Sequence, residues 1–157
     1  MTAQEEQYIH FASSVENLNN AWMILKNIKR RKKNSLIGAA FQFALIEYSK
    51  PYTNSRGTFL KNYKLDEAFI PQTHLELHKR ILTSRNQILA HADITVKEAK
   101  LHVAKIQSGK FVGIVQNVIF GTEELSNIDS VIELIEQTLK KMYVEEKRLE
   151  SLLPINS

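Results

Sequence analysis

The fold of this chain is set early, by residues 8–25, which read YIHFASSVENLNNAWMIL. The apolar side chains in this stretch alternate at spacings of three and four residues: Tyr8, Phe11, Val15, Leu18, Trp22 and Leu25. Such spacing places them on one stripe of a long α-helix, from about residue 3 to residue 30. The segment from Ser13 to Glu16 also fits a capping box, so two helices with a break near Ser13 remain open.

Three further helices are predicted downstream of this one. Residues 36–48 are apolar on nearly every side, which indicates a central helix, and Pro51 ends it because the residue before a proline avoids helical geometry. Residues 49–72 form a long polar and aromatic connection, a kind of loop that is more often functional than incidental. Thr73 and Glu76 form a capping box that opens a third helix running to about residue 92. Asn127 or Ser126 caps a last helix, which closes before Pro154.

The pattern between the third and the last helix changes to β-branched and aromatic residues. The pair Ser108-Gly109 separates two such runs, which predicts a β-hairpin over about residues 99–120. The sequence therefore predicts a mainly α protein, a single domain over residues 1–157, built as a bundle of four to five helices with one inserted β-hairpin.

The composition of the chain excludes several kinds of functional site. The 157 residues include no cysteine, which excludes disulfides, thiolate metal sites and a cysteine nucleophile. The acidic N-terminus lacks the pattern of a signal peptide, and the longest apolar run, residues 36–46, is too short to span a bilayer, so we expect a cytoplasmic protein without a membrane partner. Residues 17–120 carry seventeen Lys and Arg against six Asp and Glu, and both flanks are acidic. This basic body suits phosphate backbones.

The segment SRNQILAHAD, residues 84–93, places Arg85, Asn86 and His91 within an otherwise apolar helix. A buried guanidinium is costly unless it is paired, so Arg85 needs a partner or a function. Arginine grips phosphate with two parallel donors, and histidine transfers protons near neutral pH. Cleavage of RNA without a metal needs both kinds of group.

These residues resemble the Arg-x(4–6)-His motif of the HEPN superfamily, with a polar residue directly after the arginine and five residues between the pair. The residue pattern Arg-Asn…Ala-His-Ala-Asp is most similar to that of HEPN proteins associated with abortive infection and with toxin–antitoxin pairs. The resemblance implies a metal-independent endoribonuclease that needs no cofactor, leaves a cyclic phosphate end, and works as a homodimer on RNA, with a possible antitoxin partner. Carried over by position, Arg85 stabilises charge, His91 transfers protons, and Asn86 positions them.

Alternatives stay open at this point. Six residues at 100° each place His91 about 120° around the helix from Arg85, so the two converge only if the helix loosens near Ala90 or a second protomer contributes. Arg85 could instead pair with Glu47 or Glu76, and His91 could simply end a helix. The chain could then be a non-catalytic RNA- or protein-binding module of the same fold, or a structural protein that oligomerises through its long helices.

Two further groups are candidates for substrate binding. His78 lies seven residues before Arg85 and shares its helix face, so it could line the same cleft. His78 with His74 could also reach one metal, but no third ligand follows at helical spacing, so we predict no metal site. The basic run Lys29, Arg30, Arg31, Lys32 and Lys33 is either a solvated helix end or the phosphate contact of an RNA-cleaving protein.

Overall fold

Four α-helices and one β-hairpin make up the described part of the chain, which comprises residues 1–30, 35–60, 62–89, 99–115 and 122–154 of a computed structural model. In chain order they are α1 (Ala3–Arg30), α2 (Ile37–Ser49), α3 (Leu75–Leu89), β1 (Lys100–Ile106), β2 (Gly109–Val115) and α4 (Ile128–Glu150). Short 3-10 turns occupy Lys50–Tyr52, Glu67–Phe69, Gln72–His74 and Glu123–Asn127. The predicted helical bundle with one inserted hairpin is confirmed.

Helix α1 runs without a break through both serines. Ser14 Oγ donates to the carbonyl oxygen of His10 at 2.9 Å, so its hydroxyl is satisfied within the helix and does not cap a new one. The alternative of two helices with a break near Ser13 is therefore wrong. Glu5 and Glu6 in the first turn and Lys29 and Arg30 in the last turn complement the helix dipole.

The core lies where α1 packs against α2 and α4, with α3 packed on α2. Its most deeply buried apolar side chains come from all four helices: Leu18, Leu25, Phe41, Leu45, Tyr48, Ile81, Leu134, Ile135 and Met142. At the rim, the Trp22 indole Nε1 donates to Glu136 Oε1 at 2.8 Å, and Lys26 Nζ lies 3.0 Å from the same oxygen. We call these three residues the α1–α4 clasp. Among the helices that the structure describes, none is long and apolar enough to cross a membrane.

The start of α3 differs from the prediction. Thr73 lies inside the 3-10 turn Gln72–His74, and its Oγ1 is 3.0 Å from His74 Nδ1. The α-helix begins only at Leu75, and Glu76 Oε1 accepts from Lys79 Nζ at 2.8 Å. The predicted capping box of Thr73 and Glu76 is therefore wrong, because both side chains have other partners.

The long connection between α2 and α3 is tied to the first turn of α1 by Glu6. Its carboxylate, although far away in sequence, accepts from the backbone N–H groups of Thr58, Phe59 and Leu60 at 2.7–3.0 Å. Burial pushes the pKa of Glu6 upward, but these three donors outweigh it, so the pKa lies below its usual value. The Glu6 carboxylate is therefore an internal anchor for a connection that the sequence predicted as a long loop.

Gly57 allows this approach because it has no side chain. A Cβ atom at this position would lie 2.0 Å from Glu6 Oε1 and 2.9 Å from His10 Nε2. His10 in turn stacks on Tyr63, with ring centres 4.7 Å apart, and its Nδ1 is 3.0 Å from Ser55 Oγ. The connection is thus held at several points against one face of α1.

The hairpin pairs β1 with β2 in antiparallel register, from Lys100 opposite Val115 to Ile106 opposite Gly109. Gly109 adopts a φ of 135°, in the region that favours glycine, directly after the turn. The predicted hairpin is confirmed, with its two-residue turn at Gln107 and Ser108 and with Gly109 as the first residue of β2. Residues 116–120 of the predicted range lie outside the described residues. Nearly every side chain of both strands is exposed, so the hairpin stands apart from the helical core.

Candidate functional site

The motif arginine lies on the last turns of α3, at the end of its buried face. Helix α3 buries Leu77, His78, Ile81 and Ser84, and the next residue, Arg85, is half-buried. Arg85 Nη1 donates to Asn86 Oδ1 at 3.0 Å, so the amide holds the guanidinium from the solvent side. Arg85 Nε is buried and has no hydrogen-bond partner within the part of the chain that the structure describes. The guanidinium is therefore positioned by its neighbour while part of its donor capacity is unused.

The carboxylates considered as partners of Arg85 are both bound to lysines. Glu47, which is buried on α2, binds Lys50 in the following turn, and exposed Glu76 binds Lys79. Across the described ranges, no acidic side chain lies within ion-pair distance of Arg85. The alternative in which Glu47 or Glu76 neutralises Arg85 inside the bundle is therefore wrong. A half-buried cation without a carboxylate is a natural site for an anionic ligand.

His91, to which the motif assigns proton transfer, lies outside the described residues, as do Ala90 and Asp93. The loosening of α3 near Ala90, one of the two ways in which His91 could converge with Arg85, therefore stays a prediction. What the structure fixes is the position of Arg85 and Asn86 on the helix turn that precedes them.

His78 occupies a different environment from the one expected. Its side chain is 0% exposed, its Nδ1 lies 2.7 Å from Tyr48 Oη, and its ring meets the Tyr52 ring edge-on at 4.5 Å. Burial lowers the pKa of His78 and raises the pKa values of both tyrosines. The expectation that His78 lines an open cleft and binds substrate is therefore wrong, because a neutral, fully enclosed imidazole cannot contact a ligand from solvent.

The spacing of apolar residues in α3 already indicated that His78 could be buried. His78 falls four residues before Leu82 and three before Ile81, on the apolar side of α3. A single histidine on such a stripe is compatible with a core position, provided that a partner such as Tyr48 satisfies one ring nitrogen. That partner lies on α2, thirty residues away, so periodicity alone could not identify it.

Only the first two residues of the basic run, Lys29 and Arg30, belong to the part of the chain that the structure describes. Lys29 Nζ lies 2.5 Å from Asp129 Oδ1, and both side chains are more than half exposed, while Arg30 is the last residue of α1. Arg31, Lys32 and Lys33 lie outside the described residues. Because an exposed ion pair is weak, Lys29 can still exchange its partner for a phosphate.

The two histidines considered as metal ligands do not converge. His74 Nε2 lies 3.8 Å from Glu133 Oε2 on α4, whereas His78 is enclosed beside Tyr48. In the described ranges, no three His, Asp or Glu side chains group in a way that could hold a metal ion.

The site thus consists of Arg85 and Asn86 at the end of α3, with an enclosed His78–Tyr48 pair two turns earlier on the same helix. No protein-family model, curated protein or solved structure matches the chain. The likeness to HEPN proteins therefore remains a likeness of motif and of helical class.

Proposed function

We propose that this protein is a metal-independent endoribonuclease of HEPN type, acting as a homodimer in phage defence or in a toxin–antitoxin system. The observation that carries the proposal is the state of Arg85, a half-buried guanidinium bound by Asn86 and without a carboxylate among the described residues. A carboxylate partner would offset the desolvation of a structural arginine at this depth. A catalytic one needs its charge free for a phosphate.

The chemistry assigns one role to each residue of the motif. His91 takes the proton from a ribose 2′-hydroxyl, whose oxygen then attacks the adjacent phosphorus. Arg85 stabilises the additional negative charge on the phosphorane oxygens. The bond to the 5′-oxygen breaks, that oxygen receives a proton, and the products are a 2′,3′-cyclic phosphate and a free 5′-hydroxyl. Asn86 keeps Arg85 in position through the hydrogen bond of its Oδ1.

Cleavage of RNA by purified protein in the presence of a chelator tests the proposal. We expect wild type to produce cyclic phosphate ends, and both Arg85→Ala and His91→Ala to lower the rate by about 10²-fold to 10³-fold, as for loss of one charge-stabilising donor. Arg85→Lys keeps the charge but loses the paired donors, so it should recover only part of the rate.

Arg80 provides the matched control on the same helix. Its Nε lies 2.5 Å from Glu124 Oε1, so this arginine has the carboxylate partner that Arg85 lacks among the described residues. Arg80→Met should retain the cleavage rate of the folded protein although it lowers the melting temperature. If Arg85→Ala lowers the melting temperature and leaves cleavage intact, Arg85 is structural and the proposal fails.

The exposed hairpin favours a second candidate function, a non-catalytic module that binds RNA or a protein. An isolated two-stranded hairpin is only marginally stable in water, and both strands here have few neighbours outside the hairpin. Retention of growth arrest, or of any other effect on expression, in His91→Ala would favour this module over the enzyme. Sedimentation of the purified chain tests the proposed homodimer independently.

A further inference from the structure

The hairpin combines an exposed aromatic ring with an excess of positive charge. Residues 99–115 contain three lysines and one histidine but no Asp or Glu. Lys100, His102, Lys105 and Lys110 are all exposed. The segment therefore carries a formal charge of +3 with His neutral, and it attracts polyanions such as a nucleic-acid backbone.

Two of these lysines face one another across the hairpin. Lys105 and Lys110 are direct partners in the antiparallel register, next to the turn. Like charges directly opposite in a sheet are destabilising, and no acidic side chain among the described residues lies within ion-pair distance of either lysine. A phosphate between the two ammonium groups would convert this repulsion into attraction.

The aromatic ring lies on the other face of the hairpin. Phe111 and Gly113 point to the same face because side chains alternate along a strand. A Cβ atom at Gly113 would lie only 2.9 Å from Phe111 Cε1 and 3.2 Å from Cζ, so the ring covers the glycine backbone. Phe111 nevertheless remains 53% exposed. Two carbons of the ring thus lie close to Gly113, while about half of the side chain is open to solvent.

The residues beside the ring suit a nucleic-acid strand. Lys100 and His102 share the face of Phe111, and the residue directly opposite Phe111 is the small Ala104. A base can therefore approach the ring without a steric obstacle from the neighbouring strand, while the lysine contacts the adjoining phosphate. Aromatic side chains beside a basic track are the common means of binding single strands.

We propose that the hairpin of β1 and β2 is a binding element for single-stranded RNA, in which Phe111 stacks on a base and Lys100 contacts a phosphate on the same face. Lys105 and Lys110, whose side chains lie on the opposite face near the turn, contact phosphates farther along the strand. This inference rests on the proposed function, because it supplies the enzyme with a means of holding its substrate away from Arg85. The opposite face carries Lys105 and Lys110 together with four aliphatic side chains, namely Leu101, Val103, Val112 and Ile114. A protein interface there is the competing outcome, although lysine is depleted in such interfaces.

The affinity for a fluorescein-labelled oligoadenylate RNA, measured by anisotropy in the Arg85→Ala background, tests the stacking contact. We expect Phe111→Leu to raise Kd by about tenfold, since it keeps the apolar bulk and loses one stacked base. Phe111→Tyr keeps the ring and should restore binding. Leu101→Ala, on the opposite face and away from the Lys105–Lys110 pair, is the matched control and should leave Kd unchanged.

The salt dependence of the same binding tests the lysines. Replacing all three hairpin lysines by Gln should reduce the slope of log Kd against log salt concentration by about 2, because each phosphate contact on a single strand contributes about 0.7. An unchanged slope, or wild-type affinity in Phe111→Leu, would overturn the proposal. So would hairpin variants that alter only self-association in sedimentation and leave RNA binding intact.

The two proposals can fail separately. If wild type binds RNA through Phe111 but cleaves none, the endoribonuclease is refuted and the hairpin element stands. If cleavage depends on Arg85 while RNA affinity is indifferent to every hairpin variant, the hairpin proposal is refuted and the enzyme stands.

Discussion

Substitution of Gly57 by alanine should destabilise this protein although alanine is an ordinary residue in a loop. The new Cβ would lie 2.0 Å from Glu6 Oε1, whereas real Cβ contacts essentially never fall below 3.0 Å. The carboxylate or the connection must therefore move by about 1 Å. The φ angle of Gly57 lies outside the left-handed region, so the cost comes from this contact and not from backbone strain.

The magnitude follows from what the movement disrupts. The Glu6 side chain is flexible in itself, but the backbone N–H groups of Thr58, Phe59 and Leu60 fix its carboxylate. We expect Gly57→Ala to lower the free energy of unfolding by about 1–3 kcal/mol, as for other insertions of a methyl group into a packed site. For a chain of this length each kcal/mol corresponds to about 2–4 °C in Tm.

Thermal unfolding followed by circular dichroism, with urea denaturation as a second measurement, gives the result. Gly38→Ala is the matched control, because a Cβ at Gly38 on α2 would meet Thr122 Cγ2 at an ordinary 3.7 Å. Alanine is the better residue within a helix, so this variant should gain up to about 1 kcal/mol. The same substitution at two glycines therefore has opposite expected signs.

A double-mutant cycle identifies the contact that is responsible. In a Glu6→Ala background the carboxylate is absent, so Gly57→Ala should cost much less than in wild type. Equal costs in the two backgrounds, or an unchanged Tm in Gly57→Ala, would refute the reasoning that the glycine is required by the anchoring carboxylate.

Three further outcomes follow from ion pairs and from a buried histidine. Burial lowers the pKa of His78, so the unfolded state binds a proton at this residue more readily than the folded state does. The free energy of unfolding should therefore fall as the pH drops below about 6.5. Calorimetry should show a smaller fall in His78→Gln. Arg80→Met leaves the buried carboxylate of Glu124 without its arginine and should cost about 1–3 kcal/mol in urea unfolding, a loss that shrinks in a Glu124→Gln background. Lys29→Met removes only an exposed pair with Asp129, so a change in unfolding free energy above about 1 kcal/mol would contradict the weakness assigned to this pair.

The sequence predicted the helices and the hairpin because their signals are local. The stripe from Tyr8 to Leu25 lies on one helix face, and the Ser108-Gly109 pair lies between two β-rich runs, so both signals are visible in a short window. Caps were predicted less well. Thr73 fits a capping box in sequence, yet its hydroxyl lies beside His74 within a 3-10 turn, because the preceding Pro71 begins that turn.

Long-range polar contacts were the part that local patterns could not reveal. Glu6 looks like an ordinary acidic residue in a first helical turn, and its backbone partners lie more than fifty residues away. His78 looks accessible from its spacing to Arg85, and only the packing of α2 against α3 shows that Tyr48 encloses it. The position of Arg85 on α3 was predictable from sequence. Its lack of a carboxylate partner among the described residues was not, because it depends on the ion pairs that Glu47 and Glu76 form with lysines.

The α1–α4 clasp determines what intrinsic fluorescence can report about the unfolding of this protein. Trp22 is the chain's single tryptophan, and its indole bridges α1 and α4 through Glu136. The five tyrosines, like Trp22, lie outside β1 and β2. Intrinsic fluorescence therefore reports the separation of two helices and gives no direct signal from the hairpin. A melting curve recorded by tryptophan and tyrosine fluorescence can show a single two-state transition although the two strands have already separated at a lower temperature. Hairpin variants therefore need a spectroscopic probe on β1 or β2.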